Sequence, residues 1–196
     1  MHYVVGVDEV GRGSLAGPVT VCAIAWPKNL IFKNEPPHKL NDSKKLSPEK
    51  REVWTKYLKS HPRTIIAISH IQPSRIDKIN IRNATNLAAE RALLKLLTQI
   101  KKPQIYLDGG LSVKKVAHLK PETVIKGDAK IPAIMAASIV AKVARDSFLK
   151  RLAQKYPDYE LEVNKGYGTL RHCQRLRKYG PSRVHRLTFI KNIAIV

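Results

Sequence analysis

The chain has 196 residues, of which 43% are hydrophobic, enough for one domain with a sizeable core. Lys and Arg number 36 against 15 Asp and Glu, a formal charge of +21 that favours a polyanionic partner, either nucleic acid or an anionic surface. No apolar run approaches the roughly 18–20 residues of a membrane span, the start lacks the regions of a signal peptide, and Cys22 and Cys173 have no metal-type spacing. The expectation is a cytoplasmic protein with reduced thiols and no membrane partner.

Residues 3–7 read as a strand and 19–26 as a second; the link between them is too short for a helix, so they should pair antiparallel. Residues 28–46 read as a surface loop ending in Asn41-Asp42-Ser43-Lys44-Lys45-Leu46. Ser47-Pro48-Glu49 supplies an N-cap, a proline at N1 and a first-turn acid. The helix they open has Val53, Trp54, Tyr57 and Leu58 as its apolar face and stops at His61-Pro62. Residues 64–71, rich in β-branched side chains, form a third strand. A helix is expected over 83–100, with Ala89, Leu93, Leu97 and Ile100 on one face. Residues 104–107 and 123–126 read as two more strands, each delivering an aspartate, Asp108 or Asp128, beside glycine. Pro132 opens a long helix along which Ala137, Ala141, Ala144, Phe148 and Leu152 line up. A basic helix-like segment, 170–179, and Gly180-Pro181-Ser182-Arg183-Val184-His185-Arg186 close the chain. This order gives an α/β or α+β layer, an antiparallel meander extended by parallel strands.

Three apolar strands thus end in acids: Asp8-Glu9, Asp108 and Asp128. If the strands are neighbours, the carboxylates gather at one edge of the sheet. Two carboxylates about 4 Å apart repel by roughly 1 kcal/mol at water's dielectric constant and about 4 kcal/mol at an effective 20. Such a cluster needs protons or a divalent cation, and oxygen ligands without a Cys or His set point to Mg²⁺ or Mn²⁺. In so basic a chain that suggests phosphoryl transfer on nucleic acid. The ordinary alternative for a single Asp after a strand is a turn cap. Asp8 and Glu9 also pose a local problem, because adjacent strand residues point to opposite faces; sharing one site requires a twist or a bulge. The glycine loop fails as a dinucleotide fingerprint, since Pro18 and a strand follow it, and as a P-loop, since it carries Arg12 in place of lysine and two acids. The rival to an enzyme is a non-catalytic basic RNA-binding protein, which the charge alone would favour.

The run Asp8-Glu9-Val10-Gly11-Arg12-Gly13-Ser14-Leu15-Ala16-Gly17-Pro18-Val19 resembles the signature of ribonuclease HII, the type 2 ribonuclease H family. Asp42-Ser43-Lys44-Lys45-Leu46-Ser47, Leu107-Asp108-Gly109, Lys126-Gly127-Asp128-Ala129, the segment from Ala136 to Val143 with Arg145-Asp146, Lys165-Gly166-Tyr167-Gly168-Thr169 and Gly180 to Arg186 match in the same order. The resemblance implies a ribonuclease H-like fold, a mixed five-stranded sheet flanked by helices. It makes 1–196 a single catalytic domain, with 156–196 as a C-terminal helical extension, acting as a monomer. It also implies an endonuclease that cuts the RNA strand of RNA–DNA hybrids and nicks duplex DNA 5′ to embedded ribonucleotides, leaving 3′-hydroxyl and 5′-phosphate ends. Asp8, Glu9, Asp108 and Asp128 would be the catalytic carboxylates holding Mn²⁺ or Mg²⁺. Gly11, Arg12 and Gly13 would read the ribose 2′-hydroxyl, and Tyr167 would contact the nucleotide at the RNA–DNA junction. Arg12 and the start of the chain set it apart from type 3 relatives, and Asn164-Lys165 stand where a histidine or serine is expected. Lys44, Lys45, Lys142 and Arg145 are candidates to line a duplex channel, whereas Asp146 and His185 are expected to make structural hydrogen bonds.

Overall fold

Strands β1 (Tyr3–Val10), β2 (Val19–Pro27) and β3 (Ile65–Ile71) form an antiparallel meander in the protein, represented by a computed structural model that describes residues 2–28, 36, 40–191 and 193. Strands β4 (Gln104–Asp108) and β5 (Glu122–Val124) continue the sheet in parallel from the other edge of β1, giving the order β3-β2-β1-β4-β5. The strand nearest the chain start is therefore central, and its carboxyl end lies beside the carboxyl end of β4.

Side-chain parity on β1 assigns the layers. Val5 and Val7 pack with Val19, Val21 and Ala23 of β2 against helix α2 (Pro73–Leu97). Val4 and Val10 pack on the opposite face with Cys22 and Ile24, under α1 (Pro48–Ser60) and α3 (Pro132–Lys155). Every residue of β2 is buried, as expected for a strand covered on both faces. The start of α3 lies almost on β1: a Cβ added at Gly6 would stand 2.1 Å from the carbonyl carbon and oxygen of Ala133. That close approach brings Ser138, one turn further on, level with Asp8.

A third apolar cluster, with Ala16, Ala153, Tyr159, Leu161, Leu176 and Val184, joins the C-terminal half of α3 to the C-terminal segments. These are α4 (Leu161–Asn164), α5 (Leu170–Tyr179) and α6 (Leu187–Ile190). Ala16 of the loop after β1 joins this cluster, while α4 packs on α3 and α6 reaches Asp77 of α2.

Several sequence expectations shift at this level. The N-cap Ser47 accepts from Lys50 N, and His61 ends α1 as read, but Val53 is 45% exposed and the buried side is Trp54, Thr55 and Leu58. Helix α2 begins ten residues before the expected position, with Pro73 in its first turn; at Asn80 the backbone leaves the helix (φ 62°), and the Asn80 carboxamide caps a fresh start by accepting from Asn83 N at 3.0 Å. The periodic run from 83 is thus the second piece of a broken helix, and the short first piece carries too few turns to show a period. Strand β5 stops at Val124 because Lys126 takes a left-handed conformation (φ 56°) and turns the chain into a 3₁₀ turn, Gly127–Ala129. On α3 the buried stripe in the second half is Arg145, Leu149 and Ala153, not Ala144, Phe148 and Leu152, because that half faces the polar loop after β1. Most of the expected loop over 28–46 lies outside the described residues.

Candidate active site

Hydrogen bonding between β1 and β4 ends at Val7 and Leu107, while β1 and β2 stay in register through Val10 and Thr20. No bulge interrupts β1. Asp8 belongs by parity to the α3 face and Glu9 to the α2 face, yet their carboxylates, with that of Asp108, each offer an oxygen within 4.8 Å of the others. Beyond the last rung the gap between β1 and β4 is open. The two side chains reach it from opposite faces, and Asp108 enters from the end of β4. The unbroken β1–β2 register shows that no bulge is used, and the trio gathers where the β1–β4 ladder ends.

Each carboxylate is oriented by nearby donors. The Glu9 amide donates to Asp8 Oδ1 at 2.7 Å, and the Gly127 amide to Asp108 Oδ1 at 2.8 Å. Ser138 lines the cavity beside Asp8, where its hydroxyl pulls the Asp8 carboxyl down against the effect of burial. Ser138 Oγ lies 2.8 Å from Ser43 Oγ, a pair in which either hydroxyl can donate. Arg51 from α1 donates to the carbonyls of Ser43 and Leu46 and fixes the turn that bears Lys44. Glu9 Oε1 accepts from Arg12 Nη1 at 3.2 Å, while Glu9 Oε2 is buried without a hydrogen-bond partner. Burial, reinforced by the neighbouring carboxylates Glu9 and Asp108, holds the Asp8 carboxyl well above its ordinary range. Burial also raises Glu9, against the pull of Arg12. A buried orphan oxygen and acids crowded enough to resist ionising are what a divalent cation would relieve, so these residues fit one.

Asp128 lies in the 3₁₀ turn, lines the same cavity of about 230 Å³ and accepts from Lys44 Nζ at 3.0 Å. It stands outside the close trio. Lys142 and Tyr167 also line that cavity. Lys45 is exposed, and its amide donates to Asp42 in the turn.

The loop from Gly11 to Pro18 is held from beneath by two fully buried arginines. Arg186 donates to the carbonyls of Gly11, Arg12 and Gly17 at 2.7–3.1 Å. Arg145 donates to Pro18, Ala16 and Lys165 at 2.9–3.2 Å. Arg145 therefore cannot line a duplex channel as a phosphate contact; it is inside the protein, with all three of its nitrogens committed to carbonyls. A Cβ at Gly11 (φ 87°) would meet Arg145 Nε at 2.1 Å, so glycine is required both by conformation and by space. With the carbonyls drawn inward, Gly13 remains on the exposed side of the loop, and among the described residues the Arg12 and Gly13 amides donate no hydrogen bond. Sequence reasoning reaches Arg186 and Ser138 only within longer motifs and misses Arg51; a buried arginine has no signature in a chain so rich in surface ones. Asp146 accepts from Lys142 at 2.9 Å and His185 bonds to Ser182, structural roles as expected. Asn164, the departure in the tyrosine segment, holds that turn by accepting from Gly166 N and donating to Tyr159 O.

Fold and site together define an enzyme of the ribonuclease H-like class. The chain matches the family model described as ribonuclease HII over residues 5–192. It is 44% identical over 189 residues to the ribonuclease HII of Pelagibacter ubique, covering 96% of each chain, and 46% identical to that of Endomicrobium trichonymphae, covering 96% of this chain and 85% of the other. Among solved structures, the ribonuclease H2 from Pyrococcus horikoshii OT3 matches with a TM-score of 0.75 and 28% identity, covering 97% of this chain and 96% of that one. The chain belongs to the ribonuclease HII family and is an endonuclease of RNA–DNA hybrids. That sets aside the non-catalytic RNA-binding reading. Among the described residues no helix is long and apolar enough to cross a membrane.

Proposed function

We propose that this single-domain enzyme acts as a cytoplasmic monomer on RNA–DNA hybrids and on duplex DNA containing single ribonucleotides. It cuts 5′ to the ribonucleotide, leaves 3′-hydroxyl and 5′-phosphate ends, and so serves ribonucleotide removal from DNA. Its catalysis uses two divalent cations, Mg²⁺ or Mn²⁺. The observation that carries this reading is the convergence of Asp8, Glu9 and Asp108 within 4.8 Å, next to a loop whose outer amides are unspent.

Asp8, Glu9, Asp108 and Asp128 would hold the cations, whose chemistry there would be activation of a water and neutralisation of charge on the leaving oxygen. The Glu9 and Gly127 amides keep the Asp8 and Asp108 carboxylates oriented before substrate arrives, so little reorganisation remains at the moment of reaction. Gly11, Arg12 and Gly13 read the ribose 2′-hydroxyl, the group that separates RNA from DNA, through main chain that can approach closely. Tyr167, flanked by Arg145 at 5.4 Å and Lys142 at 6.0 Å from its ring, meets the sugar at the junction. Lys44 and Lys45 engage phosphates, positioning the duplex without reading sequence.

The test is a labelled DNA duplex bearing one ribonucleotide, incubated with Mg²⁺, with Mn²⁺ and with EDTA. Cleavage 5′ to the ribonucleotide that stops on chelation is expected. A cut on its 3′ side, or a 2′,3′-cyclic phosphate end, would overturn the reading.

A further inference from the structure

His172 and His185 are 0% and 2% exposed, and their Nε2 atoms meet at 3.2 Å. Two ring nitrogens bond only if one carries a proton and the other a lone pair, and the surrounding groups decide which. The Ser182 amide N–H donates to His185 Nδ1 at 3.0 Å, so the His185 proton sits on Nε2. That proton is donated to His172 Nε2. The His172 proton must then be on Nδ1, where it is donated to the Tyr167 carbonyl at 2.9 Å. Each link runs one way, from Ser182 through both imidazoles to Tyr167.

Both rings are neutral. Burial holds each below the ordinary histidine range, His185 down to about 4. His172 also lies in the first turn of α5, where the helix's positive end disfavours an imidazolium. The Tyr159 ring packs edge-on against His185 at 4.6 Å between centroids and donates its hydroxyl to Gly180 O, anchoring the pair in the C-terminal segments.

The Tyr167 carbonyl accepts a second bond from Thr169 N at 2.8 Å, so both its lone pairs are used. On the other side, the Gly166 carbonyl accepts from Leu15 N and Ala16 N of the glycine loop. The tyrosine backbone is thereby tied to the loop at one peptide and to the histidine pair at the next. Two buried imidazoles are a demanding way to fill space that apolar side chains could fill; what they add is a directed bond at one carbonyl.

We propose that the His172–His185 relay is a positioning device for Tyr167, fixing its backbone so that its side chain is held at the cavity that the carboxylates line. The inference rests on the reading of Tyr167 as the residue that meets the ribonucleotide.

The experiment compares His172→Phe, His172→Asn, Tyr167→Ala and the double variant His172→Phe/Tyr167→Ala on a duplex with one ribonucleotide, recording kcat, KM and Tm. Phenylalanine keeps the ring volume and removes the donor; the asparagine carboxamide nitrogen falls where Nδ1 stood and still reaches the Tyr167 carbonyl. His172→Phe should lower kcat by about tenfold or more, with KM little changed. His172→Asn should recover most of kcat despite the lower Tm of a part-empty site. In the Tyr167→Ala background, His172→Phe should cost nothing further in kcat, as residues acting through one group are not additive. Multiplying effects, or a kcat order that follows Tm, would overturn the relay. A Tyr167→Ala enzyme with parental kcat would instead overturn the reading of Tyr167, and the relay's purpose with it. If His172→Phe does not fold, His185→Phe, which removes the proton donor to His172, enters the same cycle, where non-additive kcat supports the relay and multiplying effects overturn it.

Discussion

The cavity floor and the frame beneath the glycine loop are both buried clusters of like charge, and they are built in opposite ways. On the floor, Asp8, Glu9 and Asp108 crowd together with Glu9 Oε2 unpartnered and two carboxyls pushed up by burial and mutual repulsion. In the frame, Arg145 and Arg186 are 0% exposed, and each of their guanidinium nitrogens donates to a backbone carbonyl. Burial pulls Arg186 down to about 9, with Arg145 adding to it, so even the frame is under electrostatic load. The difference is in bonding capacity. The frame commits every guanidinium nitrogen to backbone carbonyls and holds its shape; the floor keeps an acceptor unpartnered and is left to be completed by something else.

Removing a floor acid tests that contrast most severely. Asp8→Asn should reduce cleavage by about a thousandfold or more, the scale of losing a preorganised charge at a reacting centre. Duplex binding, carried by phosphate contacts, should persist. The same change should raise Tm in EDTA at neutral pH, since it deletes a carboxyl whose ionisation is opposed by burial and by its neighbours. The sign follows from the raised folded-state carboxyl: Asp8 favours the folded state below its ordinary range, and that contribution is lost as pH rises through the raised value. The metal-free parent should therefore gain stability from Asp8 as pH falls from neutral, and Asp8→Asn should remove that gain. A variant that cuts normally, or that melts lower than the parent in EDTA, would show that the floor is not a strained cation site.

Breaking the frame should have the reverse signature. Arg186→Met leaves the Gly11 and Gly17 carbonyls without their donor inside the protein, and stability should fall by about 3 kcal/mol, from unsatisfied buried acceptors. Urea denaturation measures it. Cleavage by the folded fraction should lose its preference for ribose over deoxyribose sites before it loses metal dependence. Unchanged stability would mean that the loop carbonyls find other partners, and the frame would lose its meaning.

The two regions are also unequally legible in the sequence. The acids stand out because charge at the end of an apolar strand is rare in a chain with 36 basic residues and 15 acidic ones. Five strands, their mixed pairing and the helix starts at Pro48 and Pro132 can be read from β-branched runs and proline positions. The convergence of Asp8 and Glu9 cannot, because it depends on where the β1–β4 ladder stops, a property of two strands about a hundred residues apart. Arg145 reads as a surface cation because an arginine in so basic a chain is taken for a solvated charge; on the helix it shares a side with Ala141 and Leu149, and only the packing of that side against the Gly11–Pro18 loop shows that it is buried. His172 draws no notice for a similar reason, since a single histidine on a basic helix has no local signal and its partner lies thirteen residues on. A periodicity reading starts helix α2 late because Asn80 breaks the period on which it relies.

The mildest test falls on Lys44, which belongs to neither region outright. Its side chain is 79% exposed, and it reaches Asp128 at 3.0 Å, at the rim of the floor. So exposed a pair contributes at most about 1 kcal/mol, and Lys44→Ala should leave Tm nearly unchanged. Its effect should lie in binding. Losing one phosphate contact should reduce the slope of log affinity against log salt by about one, and kcat/KM should fall several-fold at low salt and converge on the parent at high salt. Affinity for Mn²⁺ should stay level or tighten, because a cation competing for Asp128 is gone. A loss on the scale of Asp8→Asn, insensitive to salt, would place Lys44 in the floor as a group the chemistry requires. A salt-dependent loss places it with the surface that brings the duplex in, and leaves the acids as the part of the cavity that waits to be completed.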